Sequence, residues 1–169
     1  GQPLAKGKLY ASNITTIAGW CNKQKMNTLM VIVKDDYSTM LNALKTLAEK
    51  TDALITSGGA WTGDRDMVAQ VLGELGWHQA FHRIRIRPGK AVGFGILNEK
   101  PVFILPGGPS ANVMGFLQIA LPVLHALSGY SSPGLPRINA RLVSDLKGRG
   151  PDWTQFFFGT LEHTSELPI

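Results

Sequence analysis

Apolar positions along this chain alternate between helical spacing and short unbroken runs, and the alternation predicts the order of its elements. Asn13 is placed to cap a helix reaching about Lys25, with Ile14, Ile17, Ala18 and Cys21 on one side. Thr28 to Val33 reads TLMVIV, a run suited to a buried strand. A second helix is predicted from about Ser38 to Lys50, since Met40, Leu41, Leu44, Leu47 and Ala48 share a face. Ala53-Leu54-Ile55 is a short strand, and a third helix follows from about Asp64 to Leu75, ended by Gly76. Ala80 to Arg87 alternates as a strand does: Phe81, Arg83, Arg85 and Arg87 on one face, His82, Ile84 and Ile86 on the other. Val92 to Leu97 and Pro101 to Leu105 are two strands joined by Asn98-Glu99-Lys100. A long apolar helix runs from Ser110 to Leu127, with Pro122 expected to kink it or mark a change of helix.

Strand and helix in turn, joined by short glycine-rich turns, predict an α/β class with parallel strands between helical layers. In such sheets ligands sit beyond the carboxyl ends of the strands, which selects the turns that matter. Residues 131–136 read as a linker. Beyond it, Arg141-Leu142-Val143 and Gln155 to Phe158 suggest strands too few to stand alone. The expected organisation is one α/β domain over residues 1–130 and a tail over residues 131–169.

Length and composition agree with that division. The chain has 169 residues, 44% hydrophobic and 17% charged, enough for one domain with a real core and a small extra piece. The lone cysteine, Cys21, excludes an intrachain disulfide or a cysteine-based metal cluster and suits a reducing compartment such as the cytoplasm. Its neighbours at helical spacing mark it as a core residue. The chain begins with Gly1 rather than Met, which reads as a processed, truncated or tagged piece. The stretch Val113 to Leu127 is interrupted by Gln118, Pro122 and His125 and falls short of a membrane span, so no membrane partner is expected. The net charge of +5 favours an anionic partner. The charge is local, without interleaved aromatics, which argues against nucleic acid.

Three constellations carry chemistry. The first is Thr56-Ser57-Gly58-Gly59-Ala60-Trp61-Thr62-Gly63-Asp64-Arg65-Asp66, between a strand and a helix. Glycines let backbone N–H groups approach an anion, and a helix start favours negative charge. Asp64 and Asp66 either hold a hard cation such as Mg²⁺ beside a phosphate, or cap the helix and complement its dipole. The second is Pro106-Gly107-Gly108-Pro109-Ser110-Ala111-Asn112, again strand to helix: a tight turn with Pro109 at the helix start and Ser110 as cap, or a second anion site. The third is the run of Arg83, Arg85, Arg87 and Lys90. Charges there guard a solvated edge strand, or bind phosphate oxygens through arginine's planar fork. His78 and His82 lack metal-ligand context.

Taken together, these motifs resemble the third domain of the MoeA and gephyrin family of molybdenum cofactor biosynthesis proteins. That family's pattern is TSGG-x-S-x-G-D/E-x-D, then KPGKP at a strand end, then LPGNP before a long helix. Here the matching residues are Thr56 to Asp66, Arg87-Pro88-Gly89-Lys90, and Leu105-Pro106-Gly107-Gly108-Pro109. Gly7-Lys8-Leu9-Tyr10-Ala11-Ser12-Asn13 is similar to the family's G-x-I/V-Y-D-S-N, and the match spans roughly residues 3–130. The resemblance implies a three-layer α/β/α sandwich with a mostly parallel sheet, and a tail that begins a C-terminal β-domain. A strand carrying S-T-G-D-E-L precedes Pro3-Leu4 in the family.

The resemblance also implies a function. Family members bind molybdopterin or its adenylylated form and insert molybdenum from molybdate, with Mg²⁺ assisting. Thr56, Ser57, Gly58, Gly59 and Gly63 are then expected to line the pterin phosphate site. Arg83, Arg87 and Lys90 match the family's basic residues. Gly107, Gly108 and Ser110 belong to the matching proline-glycine loop, and Asp66 to a functional carboxylate, with Asp64 beside it as metal ligand. Family members form dimers or trimers, so a homo-oligomer is expected. The departures are Ala11 for aspartate, Gly108 for asparagine, Ala91 for proline, Arg87 for lysine and Trp61-Thr62 for a small pair. The first implied activity is that of a molybdopterin molybdenumtransferase, and the loss of the aspartate at position 11 favours the alternative of a molybdopterin-binding module without catalysis. The third implied activity is the adenylyl transfer of the related MogA type.

Overall fold

Period-3.6 faces and β-rich runs become helices and strands on the two sides of one sheet. A computed structural model of the chain describes residues 3–7, 9–58, 67–148 and 150–162. In chain order the elements are α1 (Ser12–Lys23), α2 (Tyr37–Lys50), β1 (Leu54–Ser57), α3 (Met67–Glu74), β2 (His78–His82) and β3 (Ile86–Arg87). Then come β4 (Gly93–Leu97), β5 (Lys100–Leu105), α4 (Pro109–Gly115), a π-helical turn (Phe116–Ala120), α5 (Leu121–Leu127) and β6 (Thr154–Gln155).

The described strands make a four-stranded sheet in the order β1-β5-β4-β2 and a two-stranded sheet of β3 and β6. Strand β5 shows how the layers are held. Its alternate residues Val102 and Ile104 join a core with Met40, Leu44 and Ala48 of α2 and Val68, Val71 and Leu72 of α3. Phe103 and Leu105 face the other way, onto Ile17 and Cys21 of α1 and Phe116, Ala120 and Leu121 of the long helix. All four of these β5 residues are fully buried. Each such side chain contributes about 1.5–3 kcal/mol relative to exposure. The result is the expected α/β/α sandwich, with α2 and α3 on one face and α1, α4 and α5 on the other.

Local chemistry explains most boundaries. The Asp36 side chain caps α2 by accepting from Thr39 N at 2.8 Å. Gly76, at φ +90°, closes α3. Asn98 and Glu99 both take positive φ, 49° and 64°, and turn β4 into β5. Gly95 leaves room for Trp77: a Cβ there would lie 2.6 Å from the indole Cε2. Pro122 sits at the start of α5, directly after the π turn, so the helix does change at the proline. Pro109–Leu127 spans 19 residues with mean hydropathy 1.4, long and apolar enough to cross a membrane. Its buried residues Met114, Phe116, Ala120, Leu121 and His125 instead line the core.

Several sequence expectations are corrected. Among the described residues, parallel pairing in the main sheet is confined to β1 with β5; β4 pairs antiparallel with β2 and with β5, to which a tight turn and not a helix joins it. The run Thr28 to Val33 forms no ladder: no partner strand adjoins it among the described residues, and Leu29, Met30, Val31 and Ile32 are exposed. Met26 packs into the α1 core and Val33 into the α2 core, so the run crosses between the layers. Asn13 lies inside α1 and is not its cap, which is Ala11. Ser110 is not a cap either; Gly108 holds that position with Pro109 behind it. Arg141 to Val143 are exposed and outside any strand.

The single strand expected over Ala80 to Arg87 is broken at Arg83, whose φ is +73°. There the chain leaves the main sheet, Arg83 N donates to Val92 O at 2.8 Å, and β3 pairs with β6 instead. The arginines therefore do not share one strand face: Arg85 and Arg87 are exposed and Arg83 is half-buried.

Candidate functional site

The two glycine turns leave the sheet together. Strands β1 and β5 are parallel neighbours with Ser57 opposite Leu105, so the turns at Gly58 and Pro106 emerge from the same carboxyl edge. Gly58 N donates to Leu105 O at 3.1 Å. A Cβ on Gly107 would come within 3.7 Å of the Gly58 Cα. Gly58 has φ +95°, a conformation glycine alone adopts without strain.

Two asparagines tie these turns down. Asn112, fully buried, donates from Nδ2 to Ser57 Oγ at 3.0 Å and to Pro106 O at 2.9 Å. One amide thus holds both turns, while its Oδ1 has no partner among the described residues. Asn13 Nδ2 donates to Gly107 O at 2.8 Å, joining α1 to the second turn. Thr56 Oγ1 reaches back to Phe103 O at 3.4 Å.

The basic turn arrives at the same place. A Cβ on Gly89 would lie 3.6 Å from Ala111 O, in the first turn of α4. Arg87-Pro88-Gly89-Lys90 therefore abuts the helix that opens at Gly108. Arg87 and Lys90 are exposed at this rim, and Lys90 Nζ lies 5.5 Å from the centre of the Trp153 ring. Cations beside two turns held open by glycines make a surface for phosphate oxygens.

Of the residues proposed from sequence, Thr56, Ser57, Gly58, Gly107, Gly108, Ser110, Arg87 and Lys90 come together here, and Arg83 starts the loop that carries the last two. Gly59, Gly63, Asp64 and Asp66, with Trp61, lie outside the described residues. Asn112, Asn13 and Trp153 had no site role in the sequence reading. A single amide two residues after Pro-Gly-Gly-Pro-Ser, in the first turn of an apolar helix, is the one signal that could have found Asn112.

The family described as "Probable molybdopterin binding domain" matches residues 1–126. The chain belongs to this molybdopterin-binding family. The family it belongs to is that of molybdenum cofactor biosynthesis proteins.

Its relatives span that pathway. A protein of Methanocaldococcus jannaschii named for molybdopterin biosynthesis is 40% identical over 111 residues, 65% of this chain and 28% of that protein. A molybdopterin molybdenumtransferase of Bacillus subtilis is 27% identical over 95% of this chain and 37% of its own length. The crystal structure of a molybdopterin biosynthesis MoeA protein from Pyrococcus horikosii superposes with TM-score 0.68 at 29% identity, covering 77% of this chain and 32% of that one. The Mog protein of Mycobacterium ulcerans shares the fold, with TM-score 0.57 at 23% identity over 74% of this chain and 90% of that one. The chain thus spans only 28% and 37% of the length of these two curated relatives.

Other chemistry has less support in the described residues. No group of three or more His, Cys, Asp and Glu is placed to hold a metal among them. Cys21 packs in the core with Ile17, and burial pushes its thiol pKa up, which keeps it protonated and inert.

Proposed function

We propose that the chain supplies the molybdopterin site of a molybdenumtransferase, the step that inserts molybdenum from molybdate. The observation that carries this reading is the convergence of Gly58, Gly107 and the Arg87–Lys90 turn at one sheet edge. In this reading Thr56, Ser57, Gly58, Gly59 and Gly63 line one phosphate subsite, and Gly107, Gly108 and Ser110 line the other. Arg83, Arg87 and Lys90 neutralise the phosphates, and Arg87 offers a bidentate fork. Two such subsites suit the two ends of an adenylylated pterin.

Asp64 and Asp66 are the proposed Mg²⁺ ligands, and the ion would polarise the phosphoanhydride. Asp66→Ala should abolish molybdenum transfer in the longer protein while leaving the melting temperature and molybdopterin affinity near wild type. Full activity in that variant would remove Asp66 from the site. Residues 1–130 are proposed as the binding domain, residues 131–169 as the start of a β-domain, and a cytoplasmic homo-oligomer as the working form.

A second reading is favoured by Ala11, which stands where the family has an aspartate. Here the domain holds molybdopterin without transferring metal. Titration with molybdopterin, with and without Mg²⁺ and ATP, separates the readings: binding without AMP release or molybdenum incorporation supports the module. AMP transfer from ATP would instead support the adenylyltransferase reading.

A further inference from the structure

The basic turn also touches the tail, through contacts that the proposed pterin site does not use. Residues 83–92 form a loop closed at its base by Arg83 N on Val92 O at 2.8 Å and Ile84 N on Lys90 O at 3.1 Å. Its outer strand, β3, pairs only with β6 among the described residues. Arg85 O accepts from Thr154 N at 2.9 Å, and Arg87 O from Phe156 N at 2.8 Å. Those two bonds tie down the outer side of the arm that carries Arg85 and Arg87, while Ile86 packs inward against the core beside α1.

The side chains add a second contact. Arg85, Arg87 and Lys90 are exposed cations on one short loop, and their mutual repulsion opposes a single arrangement. Trp153, half-buried beside β6, sets its ring 5.5 Å from Lys90 Nζ, and the negative face of an indole attracts an ammonium. The contact holds Lys90 in place while leaving it exposed.

We infer that β6 and Trp153 are positioning elements of the anion site: the tail fixes the loop that presents Arg87 and Lys90, so tail docking and phosphate binding strengthen each other. The inference rests on the reading that this loop binds the phosphates of molybdopterin. Ordering the loop before the ligand arrives removes an entropic cost from binding. Linkage makes the coupling reciprocal, so the ligand must tighten the tail by the same factor.

The test uses the full chain and molybdopterin. Phe156→Pro deletes one donor of the β3–β6 ladder, and Trp153→Ala removes the ring. Each should weaken molybdopterin binding about fivefold or more with an unchanged melting temperature. Trp153→Tyr, which keeps an aromatic face, should restore most of the affinity. Phe158→Ser, at an exposed position beyond the ladder, should bind as wild type does. In the wild-type chain, molybdopterin should slow hydrogen exchange at the Thr154 and Phe156 amides, a readout that needs no variant to fold.

The outcomes separate cleanly. Unchanged affinity in both variants, or no added protection of those two amides, overturns the inference and leaves the pterin site standing. Tighter binding in either variant also overturns it, since the tail would then block the site. If the wild-type chain does not bind molybdopterin at all, both fall.

Discussion

Asn112 illustrates how one side chain can organise a surface made of backbone. It is fully buried, and its amide group donates to Ser57 Oγ and Pro106 O, in turns that follow different strands. Asn112→Ala leaves the buried Pro106 carbonyl without that donor, at about 1–3 kcal/mol of stability by chemical denaturation. Because the turns lose their common tether, molybdopterin affinity should also drop about tenfold, equivalent to about 1.4 kcal/mol. An unchanged dissociation constant in a folded variant would mean that the turns need no tether. None of this pairing could be read from sequence, since Ser57 and Asn112 are 55 positions apart. The left-handed φ at Arg83 was equally hidden, because the alternation around it is that of a strand.

At the scale of elements, what is local was legible and what depends on a partner was not. The helices follow from apolar spacing within each segment, and α2 and α3 fall close to where that spacing predicts. Asp36 adds a titratable stop to α2. Hydrogen bonds from the Thr39 side chain, the Thr39 N–H and the Ser38 hydroxyl lower its pKa. A lowered folded pKa means that the carboxylate stabilises the fold above the usual aspartate value of about 3.9. The benefit is lost as pH falls through the folded pKa. Asp36→Ala should therefore melt lower than wild type at pH 7, and the gap should close on acidification below about pH 4. A gap that stays constant down to acid pH would show that the ionised cap is not the cause. Pairing of strands is the opposite case. TLMVIV has the composition of a strand, but composition carries no information about whether a neighbour lies beside it.

For the whole molecule, the family resemblance and the candidate site were both read from strand-turn-helix punctuation: Gly58 directly after β1 and Gly107 two residues after β5, at one end of a parallel pair. The layering was legible for the same reason, since β5 sends alternate residues to two cores. The docking of the tail was not legible. A strand as short as β6 has no periodicity of its own, and it exists only through its pairing with β3. The unladdered run bears on how the chain behaves in a tube. Among the described residues, strand β1 hydrogen-bonds β5 on one side only, and Leu29, Met30, Val31 and Ile32 stand 60%, 57%, 47% and 79% exposed. An open edge with a greasy ribbon of this kind is a seam along which chains stick to one another. Ile32→Lys should raise the solubility limit and suppress light scattering at high concentration, with the melting temperature little changed. Equal scattering from both proteins would put the stickiness elsewhere.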